Sequence, residues 1–404
     1  MVTLETAEKA LKSVYLNVVA DQLNVGVNPL LAKIEQTSSD VWGKEIIKLV
    51  PYGINGGIGA GTETGELPAP AANNYDRFKL ELKNLYGAIE LSDKAIRASQ
   101  SNTGAFVNLL NAEMEGLLKA SKFNLGRMLY GDGSGTLAIC KGQGGASNII
   151  ALDSVRNVME GMVVDVYSKT SGNVYGDLKG VRIVSVDRVN NTVAFSSNVT
   201  TTVADGDILT VQGSKENELT GLGAIFSDRD LYGLSRDGRS WLTPKQYSNV
   251  GAISTAKIQS AIDYIDEVAG SQIDFIVCSY DVRRAYLDYL ALTRTNVDYM
   301  NLDGGFKALS YNGIPLIADR FVESGTMYLL NSKDFKLHQL CDWRWLEGDN
   351  GKVIKQKAGS ATYGATLVKY ADMICDKPYG LTKSLMKKGQ KKGFFTHKKG
   401  IFRA

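Results

Sequence analysis

Apolar residues recur at steps of three and four through positions 101–130. Phe106, Leu109, Leu110, Met114, Leu117, Leu118, Leu125, Met128 and Leu129 fall on one face of a helix. Ser101 or Asn102 can accept a hydrogen bond from the first free N–H groups, and Gly131, Gly133 and Gly135 tolerate positive φ just past the last turn. About 28 residues at a rise of about 1.5 Å make a rod of roughly 42 Å, enough to span a domain. On periodicity alone this is a long core helix.

What precedes it has a different pattern. Gly53, Gly56, Gly57, Gly59, Gly61 and Gly65 crowd one stretch, followed by Pro68 and Pro70. From Tyr75 the chain alternates, with Phe78, Leu80 and Leu82 between Arg77, Lys79, Glu81 and Lys83. Residues 44–92 therefore read as a long two-stranded arm leading into the rod. Its glycine-dominated tip is expected to lack the apolar side chains that would order it alone, leaving a mobile surface loop or a segment ordered on another surface.

At the N-terminus, Leu4, Ala7, Leu11, Val14 and Val18 repeat at helical spacing, an amphipathic helix over 3–23 that needs either the protein's own core or another surface. After the rod, the runs MVVDVYS, GVRIVSVDRVNNTVAFSS and DILTVQG alternate at strand period, with turn signals at Asn190–Asn191 and at 205–207. They predict a small β-barrel or sandwich. No convergent polar cluster marks it as a ligand site, so a structural or docking module is favoured. Ile258, Ala261, Ile262, Ile265 and Val268 define one face of a further helix. IDFIVCS at 273–279 is a buried strand, and 281–292 a helix capped by Ser279 or Asp281. Asn312–Gly313 between apolar runs signals a hairpin. The closing runs DFKLHQLCDWRWLE and ATLVKYADMICD are strands separated by turn residues at 348–351, with Trp343 and Trp345 on one buried face.

The order of these elements, and the words NPLLAKIEQTSSDVWGKEI, YGINGGIGAGTETGELP, GRMLYGDGSG, IDFIVCSYDVRRAYLDYL and YNGIPLIAD, resemble the major capsid proteins of tailed phages, the Hong Kong 97 (HK97-like) fold. The resemblance implies an α+β chain with an N-terminal arm (1–49), an extended loop (50–92), the spine helix of a peripheral domain (93–135), an inserted β module (136–218) and a peripheral connection (219–250). An axial domain (251–332), the peripheral sheet (333–382) and a basic C-terminal tail (383–404) follow. It implies self-assembly into hexamers and pentamers of an icosahedral shell around double-stranded DNA, with a separate scaffolding protein, a portal and a decoration protein as partners. A separate scaffold is expected because the chain starts almost directly with the arm. The expected place is the virion, assembled in the host cytoplasm. An encapsulin-like shell around protein cargo is the alternative. The founding member of the family joins subunits through an isopeptide bond from a loop lysine to a neighbour's asparagine. Residues 52–76 here contain no lysine, and the nearest, Lys79, lies in the returning strand, so boiled shells should run as single chains.

Composition adds three points. With 404 residues and 44% hydrophobic content the chain can bury a sizeable core in two or three domains. Its net charge of +3 is unevenly spread: eight basic residues and no acid lie in 383–404, leaving the rest near −5. The tail, KKGQKKGFFTHKKGIFRA from Lys387, has neither helical nor strand period. Its phenylalanines suit a groove on a neighbouring subunit, and its lysines DNA on the inner face. Cys140, Cys278, Cys341 and Cys375 are widely spaced and read as buried reduced thiols. No run is long and apolar enough to span a membrane, and none at the N-terminus resembles a secretory signal.

No catalytic, cofactor or metal residue emerges. Of two histidines, His338 lies in a predicted strand without a nucleophile elbow nearby, and His338 with Cys341 makes only half a zinc site. GGIGAGTETG precedes a strand rather than a helix, and GDGSGT lacks the ending of a phosphate-binding loop. An enzyme with an unrecognised site is the remaining reading.

Overall fold

The computed structural model describes residues 16, 22–24, 26, 28–94, 103–142, 145–293, 299–301, 307–348 and 351–386. The amphipathic N-terminal segment, the Ser101 or Asn102 cap and the tail from Lys387 lie outside them, apart from a few positions such as the fully buried Leu23.

The arm is a hairpin. Strand Glu45–Pro51 pairs antiparallel with Tyr75–Glu81, from Glu45 opposite Glu81 to Pro51 opposite Tyr75, and Val41–Trp42 adds a short third strand. Only Leu82 separates the returning strand from Lys83–Ser92, yet that next strand belongs to another sheet. It pairs over ten residues with Thr362–Cys375, from Lys83 opposite Ala371 to Ser92 opposite Thr362. Leu82 is the pivot: its side chain is buried and its N–H donates to Lys44 O at 2.9 Å. The sequence reading carried the arm through residue 92; the structure ends it at 81. The alternation of residues 83–92 is that of a strand facing the core on one side, with Leu85, Ile89 and Leu91 inside.

The long helix, Thr103–Met128, lies over this second sheet. At Gly87 the approach is close enough that a Cβ would stand 2.8 Å from Leu117 Cδ1 and 3.3 Å from Ser121 Oγ. Met114, Leu125, Met128 and Leu129 are buried, Leu117 and Leu118 half so, and burial deepens toward the C-terminal end. There the segment Leu222–Ile225 docks on the helix end, Leu222 N–H donating to Leu129 O at 2.9 Å. A side chain on Gly221 or Gly223 would collide with the backbone of 128–131, so glycine is required. Beneath, Phe335–Trp345 and Thr362–Cys375 form the antiparallel centre of the sheet, Trp343 and Trp345 are buried, and Glu35–Thr37 runs parallel to 336–338.

Residues 136–211 make a six-stranded antiparallel sheet in spatial order 136–139, 208–211, 163–167, 181–187, 192–195, 149–151. Its two outer strands meet at a Cys140–Leu152 bridge, with Asp153 N–H on Ile139 O and Lys141 N–H on Ala151 O at 2.8 Å, which closes the sheet on itself. Its core, with Val164, Val166, Ile183, Val193 and Leu209, is a cluster separate from the main one. The Asn190–Asn191 turn falls where expected, Asn191 adopting φ 54°. Entry and exit lie side by side, Glu216 N–H donating to Ser134 O at 2.9 Å.

A seven-stranded mixed sheet follows, in order 245–247, 382–385, 326–330, 275–278, 314–318, 307–311, 299–301. Helices Thr255–Ala269 and Tyr280–Leu292 pack on it, and Asn312–Gly313 turns the hairpin with φ 49° and 80°. Three expectations are corrected here. Val268 is 52% exposed, because the helix leaves the sheet before its last turn. Ser279 occupies the cap position of the second helix, but its hydroxyl accepts from Gly325 N–H at 3.1 Å instead of capping. Thr382–Leu385, of which Lys383–Leu385 fell in the tail on charge alone, is an inner strand with Thr382 and Ser384 buried.

Candidate functional site: the exposed arm and its root

Beyond Tyr52 the arm projects away from the rest of the described residues. From 53 to 74 almost every residue is exposed, and the hydrogen bonds found there are local: Asn55 Nδ2 to Asn73 Oδ1 at 2.9 Å, Gly57 N–H to Asn55 Oδ1 at 2.8 Å, and Gly65 N–H to Thr62 O at 3.1 Å. The tip is not free of large apolar side chains, as its glycine content suggested. Ile54 and Ile58 are 75% exposed and Leu67 90%. Trp42, Leu49 and Tyr75 extend the same exposure along the hairpin. Apolar side chains on a projecting loop that buries none of them are the mark of a surface completed by another molecule.

The root is held firmly. Phe78, fully buried, lies 4.8 Å from the Tyr232 ring and 6.0 Å from Trp241, and Tyr52 stacks on Trp241 at 5.1 Å and 4°. Arg239 Nε meets Asp76 Oδ2 at 2.9 Å, Lys48 Nζ meets Asp376 Oδ2 at 2.7 Å, and Lys79 N–H donates to Tyr232 O. Burial pushes the Tyr232 hydroxyl well above its ordinary range; its O–H–bearing oxygen accepts the Cys375 N–H. Lys79, the lysine nearest the tip, pairs with Glu45 at 3.2 Å on the hairpin's own side. The hairpin is thus anchored at its root and exposed at its tip.

Two buried polar locks sit between the end of the long helix and the sheet. Arg127, at the end of the long helix, forms a two-pronged ion pair with Glu218 at 2.5 and 2.8 Å, both side chains at most 4% exposed. Asp372 accepts from Thr220 N–H and Oγ1 at 2.7 and 2.9 Å and from Met373 N–H; burial raises its carboxyl to about 6 against the pull of those bonds. The segment 218–226 thus ties the helix end to the sheet. Sequence reading found neither lock, because the partners lie 91 and 152 positions apart. A signal existed for a third buried group: Lys369 interrupts an otherwise apolar strand run, which a solvated lysine does not do on a two-sided strand.

His338 is buried, its Nδ1 on Ser39 O at 2.9 Å, and burial holds its ring below the ordinary imidazole range. No group of three His, Cys, Asp or Glu side chains among the described residues is arranged to hold a metal. Cys140, Cys278 and Cys375 are buried, and Cys341 is half-buried. A cleft of about 380 Å³ between 81–86, the long helix and 211–217 is lined by Lys83, Asn84, Ser121, Asn124, Gln212 and Ser214 without a nucleophile–base pair.

A long helix over a sheet, a projecting hairpin before it and a separate α/β unit after it make up a fold similar to that of a phage capsid chain. The structure is similar to a chain of the cyanophage A-1(L) capsid asymmetric unit, with a TM-score of 0.51, 11% identity, and 87% of this chain and 90% of that one covered. It also aligns with the holo-SrpI encapsulin of Synechococcus elongatus PCC 7942 over 91% of each chain (TM-score 0.47, 10% identity) and with the capsid of a native GTA particle over 89% and 90% (0.45, 10%). No family model matches the sequence, and no curated protein matches it by sequence.

Proposed function

We propose that this chain is the major capsid protein of a tailed bacteriophage, assembling through itself into hexamers and pentamers of a closed icosahedral shell around double-stranded DNA. The observation that carries the proposal is the arm: its root is fixed by aromatic stacking and ion pairs, while Ile54, Ile58 and Leu67 project with no partner surface among the described residues. Its role is structural, without catalysis or cofactor. In this layout strand 83–92 joins the peripheral parts at 93–135 and 333–382, strands 245–247 and 382–385 join the axial unit at 251–332, and a β-barrel module at 136–218 is inserted between the helix end and its docking segment. Adjacent entry and exit at Ser134 and Glu216, and a core of its own, support the insertion. A scaffolding protein, a portal, a decoration protein and packaged DNA are its partners, and virion assembly in the host cytoplasm its setting. An encapsulin-like shell is the second reading, favoured by the same arm. Nuclease-treated particles, purified from a culture expressing the chain alone and then from lysed phage, decide: protected double-stranded DNA in the phage particles supports the first reading, and a protein cargo with no DNA supports the second.

A further inference from the structure

Lys369 is one of the few lysines a folded chain buries completely, at 1% exposure, and its surroundings are unusual. Its Nζ lies 2.9 Å from Asn24 Oδ1, 3.0 Å from Asp342 Oδ1 and 2.8 Å from Gln36 Oε1, with the Trp343 ring 5.6 Å away. Asp342 also receives both contacts of the Asn24 amide: Nδ2 donates to Oδ1 at 3.0 Å and to Oδ2 at 2.9 Å. One carboxylate therefore touches the amine and the amide nitrogen together, while the amine already sits against the amide carbonyl.

We infer that Lys369 and Asn24 form an intrachain isopeptide bond, with Asp342 carrying the protons. In the step, Nζ bonds to Asn24 Cγ and the Cγ–Nδ2 bond breaks. The ammonium gives up two protons through Asp342. One completes Nδ2 as departing ammonia, and the other remains on Asp342 or leaves with the ammonia as ammonium. No oxidation occurs and no co-reactant is needed. The driving force is the burial of the charge. An ammonium in this position is held by a single carboxylate, itself 47% exposed in its side chain, and desolvating a charge costs several kcal/mol, roughly, even with a partner. Burial lowers the Lys369 amine below its ordinary range, against the opposing pull of Asp342, toward the neutral form that attacks a carbonyl. Forming the amide removes the buried charge altogether. Two carbonyl oxygens, of Asn24 and Gln36, hold the amine in place, so the reaction is a single slow event between prealigned groups. The product pins the chain near residue 24 to the sheet beneath the long helix. The inference does not depend on shell formation, and an intrachain bond leaves the chain a single band on a denaturing gel.

The test is the intact mass of the full-length chain after denaturation. A deficit of one ammonia is expected, with tryptic peptides in which Lys369 escapes cleavage and is joined to the peptide holding Asn24. Lys369→Arg keeps the buried cation and restores the full sequence mass, as does Asn24→Ala. Asp342→Asn folds with the full mass or acquires the deficit many times more slowly. A wild-type chain at full sequence mass after prolonged incubation, with Lys369 cleaved normally by trypsin, overturns the inference, and so does a deficit that maps elsewhere.

Discussion

Replacing Ile54, Ile58 and Leu67 together by serine separates assembly from folding. The three exposed fractions add to about 2.4 whole side chains, and burying an aliphatic side chain is worth about 1.5–3 kcal/mol. Covering the tip on a neighbour therefore gains about 4–7 kcal/mol per subunit before costs. Ordering the tip and its side chains offsets part of this; if half remains, the loss on substitution is about 2–3 kcal/mol, roughly a thirty- to hundredfold rise in the concentration at which shells form. The isolated subunit should not notice, since exposed positions away from special backbone contribute within about 0.5 kcal/mol. The assay pairs a denaturant melt of the dissociated chain with light scattering across a concentration series. An unchanged melt with the scattering threshold moved up supports the reasoning. A variant that assembles at the wild-type concentration refutes it, because the tip would then bury nothing.

Three further outcomes are expected. Arg127→Met leaves Glu218 charged and buried and should cost about 3–5 kcal/mol in urea unfolding, whereas Arg127→Met with Glu218→Leu should recover most of it; equal losses in both would show that packing rather than charge holds the helix end. The raised Asp372 carboxyl binds its proton more tightly folded than unfolded. Its contribution is fully present below about 3.8 and lost as pH rises through about 6. Asp372→Asn, whose amide can accept the same N–H bonds and donate to Thr220 Oγ1, should therefore gain on wild type by roughly 3 kcal/mol between pH 4 and 7, and a pH-independent difference contradicts the assignment. Replacing 136–214 with a short Gly/Ser bridge between the adjacent ends should leave soluble, assembling protein; complete loss of soluble chain would make the β module part of the main core.

Local pattern carried much of the architecture. The long helix was legible because its apolar period is sustained, and the Asn312–Gly313 hairpin because only that chemistry suits two successive positive φ angles. The module's strands were legible from alternation. What escaped depends on pairing between distant residues. In residues 75–92 the one local sign that Leu82 divides two sheets is a change of phase, from apolar Phe78, Leu80 and Leu82 at even positions to Leu85, Ile89 and Leu91 at odd ones, and it marks where the partners change from 45–51 to 362–371. Thr382–Leu385 looked like the start of the tail because Lys383 carries a charge, yet its neighbours Thr382 and Ser384 face inward between two strands. The glycines of the arm tip drew attention from the three apolar residues among them, Ile54, Ile58 and Leu67, which the fold leaves exposed.

Electron microscopy of the purified full-length chain, alone and co-expressed with a scaffolding protein from the same source, tests the central claim most directly. Closed, uniform, icosahedral shells with the arm of each subunit lying on its neighbour are predicted. A chain that stays monomeric in both preparations at concentrations well above those used for assembly would contradict the account.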